Sequence, residues 1–248
     1  MNAQIQQYLQ HIQFQGTLEP TVQLLGQLQT KHLLTIPYEN LNVALNLGIS
    51  FAIPDLFQKI IIEQRGGNCF ELNILFSWLL RELGFSVTNR YAQFWRNVEE
   101  NTSPEDVPMH QLLLVNDAGQ YYISDVGVGA LAPCTPVPLI AGHQHREGQE
   151  LYKIEYDEEN GWMLFEQTKH HWRLLYCFHD DANDAKFAPR LSKQKNKIAM
   201  IRTARGRHTM MNNEFRIYEG PSLTTYTTHN DKDWLQALLR FFHISIHQ

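Results

Sequence analysis

The amino-acid sequence predicts an α+β fold, with a helical first third, a mostly β, antiparallel and barrel-like middle, and short strands closed by a final helix. Three observations carry this expectation. Apolar residues recur at three- and four-residue spacing up to about residue 84, β-branched and aromatic runs separated by turn residues take over from Phe85, and the helical period returns in DKDWLQALLRFF near the end. No internal repeat is present.

Residues 2–14 and 19–34 read as helices, the second with Val22, Leu24, Leu25, Leu28, His32 and Leu33 on one face and Pro37 beyond its end. Pro54 to Gln64 reads as a third. The fourth runs from Cys69 to Leu83, with Leu72, Leu75, Phe76, Leu79, Leu80 and Leu83 on one face and Gly84 placed to stop it. Asn68 is a good N-cap, and Glu71 stands where its carboxylate can reach back to the cap's N–H. The strands that follow are SVTNRYAQFW, QLLLV, QYYISDV, LYKIEYD, WMLFEQ and HWRLLYCF, with a hairpin signal at Asn160–Gly161. Between them, NVEENTSPEDVP and the Pro- and Gly-containing stretch 132–149 read as loops. HDDANDAKFAPRLSKQKN reads as a polar connector, and KIAMIRTA and EFRIYE as strands before the last helix. The expected divisions are 1–84, 85–180, a connector at 181–196, and 197–248.

With 43% hydrophobic and 19% charged residues the composition is that of a globular chain. A net charge of −5 and a pI near 6.2 argue against a dedicated nucleic-acid surface and favour small substrates. The amino terminus does not read as a signal peptide, and no run approaches a membrane span. Cys69, Cys134 and Cys177 are odd in number and far apart, which suits reduced thiols in a cytoplasm. No metal is expected: there is no CxxC pair, and the histidine pairs His143/His145 and His170/His171, which read as surface, have no ligand companions.

EQRGGNCFELN, residues 63–73, is the segment that points to chemistry. Cys69 falls in the first turn of its helix, where unpaired N–H groups and the dipole favour a thiolate. Gly66 and Gly67 allow a tight approach to that turn. By itself the segment also fits a small buried residue at a helix start. A base is available in His110, at the mouth of a strand, and a carboxylate in Asp125, at the end of the next. If the strands pair through NDAG with Val115 opposite Gln120, then His110 opposes Asp125 on one sheet face, with Cβ atoms about 4.5 to 5.5 Å apart. A three-residue loop would aim them to opposite faces. Cys, His and Asp in that arrangement form a nucleophilic triad, and a strand-end histidine beside a surface aspartate is the plain alternative.

IPYENL at 36–41, RGGNCFELN at 65–73, His110 before LLLV, and SDVGVG at 124–129 together resemble the arylamine N-acetyltransferases, with a fainter likeness at RGRHTMMNNEF, 205–215. The resemblance implies a cysteine-protease-like core in three parts: a helical bundle with the cysteine, a β-barrel with His and Asp, and an α/β lid. It implies ping-pong transfer in which Cys69 is the nucleophile, His110 the base and Asp125 the orienting carboxylate. Acetyl-CoA would be the acyl donor, and a small aromatic amine, hydrazine or arylhydroxylamine the acceptor. Arg65 and Glu39 match positions that pair near the site as structural support. Gly127, Gly129, His208 and Thr209 are the places to look for CoA contacts, and Phe70 and Val128 for the acceptor pocket.

Val128 stands where the family often has Phe, which implies a smaller or less aromatic wall. The 178–200 segment matches the family poorly, and the end at Gln248 falls short of longer members, implying a more open cleft. Three other readings stay open: a transglutaminase- or papain-like hydrolase with the same triad, an amide synthase, and a silent binding module. The sequence says nothing of oligomeric state.

Overall fold

The computed structural model describes residues 2–96, 98–99, 102–103, 107–131, 133–169, 171–180 and 196–246. His170, Gln248 and all but the last residue of the expected 181–196 connector lie outside the described residues. Among the described residues no helix is long and apolar enough to cross a membrane.

Helices fill the first third. α1 (Ala3–His11) starts at Asn2, whose side chain accepts from the Gln4 N–H, and α2 (Val22–Thr35) at Thr21, whose hydroxyl accepts from the Leu24 N–H. A two-residue strand, β1 (Tyr38–Glu39), and a single turn, α3 (Leu41–Ala44), follow. The helix expected over 54–64 is composite. α4 (Ile53–Phe57) carries Pro54 in its first turn and runs into a wider π turn over Gln58–Ile62, from which Lys59 reaches the Glu71 carboxylate at 2.7 Å. α5 (Cys69–Glu82) begins with a complete capping box: the Asn68 side chain accepts from the Phe70 and Glu71 N–H groups, and Glu71 accepts from the Asn68 N–H. It ends in a Schellman motif, in which Gly84 N–H donates to Arg81 and Phe85 N–H to Leu80 while Gly84 takes φ +92°.

Eight strands build the middle: β2 (Ser86–Phe94), β3 (Met109–Asp117), β4 (Gln120–Ser124), β5 (Val137–Pro138), β6 (Gln144–Glu147), β7 (Glu150–Asp157), β8 (Gly161–Gln167) and β9 (Trp172–Phe178). Their order is β5-β4-β3-β2-β9-β8-β7-β6, antiparallel throughout and nearly closed as a barrel. β5 and β6 lie in the stretch read as loop, because strands of two and four residues are too short for alternation to register. The β3–β4 register differs from the expected one by two residues. Asp117 pairs with Gln120 and Val115 with Tyr122, so the loop is Ala118–Gly119, both at positive φ as a type I′ turn demands. A shift of two keeps the parity, and His110 and Asp125 stay on the same face although they are not directly opposed.

The last segment forms β10 (Ile198–Thr203), β11 (Gly206–Met211), β12 (Glu214–Glu219), β13 (Ser222–Thr227) and α6 (Asp231–Phe242). β1 completes their sheet, in the order β1-β10-β11-β12-β13. β11 and β13 escape a sequence reading because GRHTMM and SLTTYT do not alternate, and β13 is exposed along its whole length. Three apolar clusters result. One joins the helices to Leu113, Val115 and Val126, one fills the barrel around Leu112, Leu114 and Tyr176, and one packs α6 and Leu41 on the β10–β12 sheet. Alternation along β3 therefore sends odd residues to α5 and even residues, with His110, into the barrel.

His32, fully buried inside the helical cluster, binds the Tyr8 hydroxyl through Nδ1 at 2.8 Å. Burial, with a smaller contribution from His11, lowers its pKa to about 3. The unfolded chain therefore takes up this proton first, as pH falls through about 6.5, and stability is lost from there down to the folded value. From pH 7 to pH 5 the expected loss is about 2 kcal/mol. Urea unfolding at both pH values should show that difference shrinking by about this amount in a Tyr8→Phe/His32→Leu variant, and an unchanged difference would acquit His32.

Candidate active site

The segment before α5 is shaped by two glycines. A Cβ on Gly66 would sit 2.1 Å from the Pro37 carbonyl oxygen, and one on Gly67 would sit 2.8 Å from Glu71 Cβ, so neither position admits a side chain without a shift of backbone. The close approach lets Gly67 bridge to Tyr38 and accept the Glu39 N–H at 2.8 Å. Arg65 secures the same junction, donating to Glu39 Oε1 from Nη2 at 2.6 Å and from Nε at 3.1 Å, and to Asn42 at 3.0 Å. Glu39 also accepts the Leu41 N–H. Arg65 and Glu39 thus tie IPYENL to RGGNC. Burial raises the Glu71 carboxyl above its ordinary range, and Lys59 offsets this only in part.

Cys69 then opens α5 under the end of the barrel. His110 Nε2 meets Asp125 Oδ2 at 2.7 Å, and both side chains are almost wholly buried. The Cys69 sulfur is near enough to the same ring to favour its charged form, and Nδ1 is the nitrogen that Asp125 leaves open. The ring stacks on Tyr176, at 5.3 Å between centroids, and meets Phe94 at a 45° tilt, at 5.6 Å. Asp125 Oδ1 accepts from Asn73 Nδ2 at 3.0 Å and from the Gly127 N–H at 2.8 Å. Asn73 also accepts the Val126 N–H and donates to the Gln111 carbonyl, so its one amide joins α5, β3 and the bend after β4. Gly127 presses on the helix start: a Cβ there would lie 2.8 Å from Cys69 Cα and 2.9 Å from Cys69 O.

Above this group is a cavity of about 480 Å³. Cys69, His110, Phe70, Val128, Gly127 and Thr209 all line it. Gly129 and His208 do not. Gly129 takes φ +69° where a Cβ would strike Tyr38 and Met200, and His208 sits on the opposite face of β11 from Thr209, bonded to the Phe241 carbonyl and packed on Phe241 and Phe242. His143 and His145 are half-buried and not simply surface, since His145 bonds Thr135 and Glu147. Among the described residues no cluster of three metal-ligating side chains occurs. Sequence reasoning missed Asn73 and the wall built by Arg207, Glu214, Arg216 and Tyr218. For Asn73 a signal existed, a polar residue one turn beyond Cys69 on an otherwise apolar face. For the wall, EFRIYE was readable as a strand, but which of its faces meets the cavity is set by its pairing with β11, which had no readable period.

Comparison with known proteins places this arrangement. A family model described as N-acetyltransferase matches residues 21–248. The chain belongs to that family. Relatives of the chain include the arylamine N-acetyltransferase of Mycobacterium tuberculosis, 34% identical over 175 residues that are 69% of this chain and 61% of the relative. Another is the arylamine N-acetyltransferase / N-hydroxyarylamine O-acetyltransferase of Salmonella typhimurium, 32% identical over 178 residues, 72% and 62% of the two chains. The matched stretch spans less than two thirds of either relative. The solved structure of the S. typhimurium arylamine N-acetyltransferase superposes with a TM-score of 0.88 at 25% identity, covering 100% of this chain and 93% of that one. That of the M. tuberculosis enzyme gives 0.85 at 26% identity, covering 96% and 93%.

Electrostatics at the site of this family member yield a pH expectation. Burial alone would strip the proton from His110, but the Asp125 carboxylate, its hydrogen bond and the Cys69 sulfur together prevail, and the imidazolium is pushed up to about 10. A ring that stays charged through neutral pH keeps a counter-ion beside the sulfur. Alkylation of Cys69 by iodoacetamide at pH 7 is therefore expected to slow in His110→Gln, which removes that counter-ion. Equal rates in the two proteins would separate His110 from Cys69.

Proposed function

We propose that this protein transfers an acetyl group from acetyl-CoA to arylamines, hydrazines or arylhydroxylamines through an acetyl-Cys69 thioester. The observation that carries the reading is that Cys69 and His110 line one cavity while Asp125, buried behind them, binds the His110 ring. The activities for which the relatives are named, arylamine N-acetylation and, in S. typhimurium, N-hydroxyarylamine O-acetylation, support the choice of acceptor class. Three free thiols suit a cytoplasmic setting.

In this reading His110 already carries the proton, and the Cys69 thiolate beside the imidazolium attacks the thioester carbonyl carbon of the donor. The C–S bond to CoA then breaks, and the departing CoA thiolate takes a proton from the imidazolium. Thioester exchanges for thioester at little net energy, which divides the transfer into two easier steps. Acylation also removes the sulfur's negative charge, one of the influences that keeps His110 protonated. The neutral ring is then ready to accept the proton that the amine releases as it attacks. Aromatic amines suit the second step because they are unprotonated at neutral pH. Asp125 holds the ring in one tautomer, and Asn73 with the Gly127 N–H holds Asp125. Arg65 and Glu39 are support for the helix start and take no part in the proton transfers.

Incubation with acetyl-CoA and no amine should leave one acetyl group on Cys69 by mass spectrometry, discharged on adding an arylamine, with parallel double-reciprocal lines. Cys69→Ala should abolish transfer and Asp125→Asn should remove most of the rate. Discharge to water at the full rate without amine would favour a hydrolase, and acetyl on Cys134 or Cys177 would overturn the assignment.

Val128, 4% exposed and lining the cavity, should set acceptor size. Val128→Phe is expected to alter the ratio of kcat/KM for a large and a small arylamine by about 1 to 3 kcal/mol in free-energy terms. Equal ratios in the two proteins would remove Val128 from the acceptor site.

A further inference from the structure

We propose that Asn68 is a catalytic residue: its side-chain Nδ2, together with the Cys69 backbone N–H, forms the oxyanion hole for acyl transfer at Cys69. The inference rests on the acyl-transfer reading above and goes beyond the Cys-His-Asp group.

The orientation of the Asn68 amide is fixed by its neighbours. Oδ1 accepts from the Phe70 N–H at 3.0 Å and from the Glu71 N–H at 3.1 Å, and only the oxygen end of an amide can accept. Nδ2 is consequently the free end. It is buried, in a residue only 4% exposed, and hydrogen-bonded to nothing among the described residues. A buried donor left this way costs about 1 to 3 kcal/mol, a cost that a capping role alone does not require. Serine or threonine would cap the helix without it. Asn68 lines the same cavity as Cys69 and directly precedes it.

A second donor lies beside the first. The Cys69 N–H, in the first turn of α5, has no hydrogen-bond partner among the described residues, whereas the N–H groups of Asn68, Phe70, Glu71 and Leu72 are all taken. When Sγ attacks the thioester, the S–C bond forms and the carbonyl π electrons move to oxygen. The resulting oxyanion lies next to the helix N-terminus. There it can receive the Cys69 N–H and the Nδ2 of an amide whose orientation its two Oδ1 bonds fix. The same oxyanion forms again when the amine attacks acetyl-Cys69, and collapses when the C–Sγ bond breaks.

The test separates acyl transfer from simple thiolate reactivity. Asn68→Ser keeps a capping oxygen and loses the amide donor, and Asn68→Asp keeps the cap and the shape but puts an oxygen in place of Nδ2. Single-turnover acetylation by acetyl-CoA, followed by mass spectrometry, should slow by about 100-fold or more in both, as should discharge to an arylamine. Alkylation of Cys69 by iodoacetamide, a displacement at saturated carbon that forms no oxyanion, should remain within about twofold of wild type in Asn68→Ser. Asn68→Ser that acetylates at the wild-type rate, or that loses alkylation and acetylation in equal proportion, would overturn the proposal while leaving the acetyl-Cys69 reading intact. Wild-type protein that forms no acetyl-Cys69 at all would overturn both.

Discussion

The site depends on how closely the bend after β4 approaches the first turn of α5. Gly127 has no side chain, and any Cβ there would run into the Cys69 backbone and the Asn73 amide. Contact at that range brings the Asp125–Val126–Gly127 backbone onto the helix start, where Asn73 can hold the Asp125 carboxylate and the Val126 N–H at once. The carboxylate, held in this way, fixes the His110 ring, which is packed against Tyr176 and Phe94. A helix and a barrel that fold around separate apolar clusters are thereby registered to each other at the one place where their functional groups meet.

Charge is concentrated just behind that contact. Glu39 and Glu71 are buried, and Arg65 and Lys59 are nearly so, with ion-pair distances of 2.6 Å for Arg65–Glu39, 2.7 Å for Lys59–Glu71 and 3.7 Å for Lys59–Glu39. Such a network is weak evidence for net stability, since desolvation offsets most of the attraction. Its value here is geometric. Each carboxylate also accepts a backbone N–H, of Leu41 or of Asn68, so the cations hold in place the groups that orient β1, α3 and the cap of α5. Removing one partner would leave a buried charge without compensation at the start of α5.

On the far side the cavity is lined by β10, β11 and β12, whose two faces have separate tasks. One carries Ala199, Ile201, Met210 and Phe215 against α6, and His208 belongs with it. The other presents Met200, Thr209, Arg216 and Tyr218 to the cavity, with the Arg207 guanidinium 4.4 Å above the Tyr218 ring and Arg216 paired to Glu214. Alternation along β11 is what sends Thr209 into the cleft and His208 out of it. Adjacent residues of a resembling motif therefore part company once the strand is formed.

How much of this was legible depends on whether the signal is local. The α5 start was readable from RGGNCFELN because capping boxes and terminating glycines act within one turn, and His110 and Asp125 were readable from strand ends and a turn. Their meeting survived a two-residue error in register only because face parity depends on odd and even counts. β5, β6, β11 and β13 were too short or too uniformly polar to show a period. The sequence by itself determined the helix that presents Cys69, the family to which the motifs belong and the residue types available for acyl chemistry. Only the tertiary structure decided that Asn73 clamps Asp125, that the Asn68 amide is left with an unpaired donor and that His208 turns from the cleft, because each follows from contacts between segments far apart in the chain or from bonds that exist only once those segments pack.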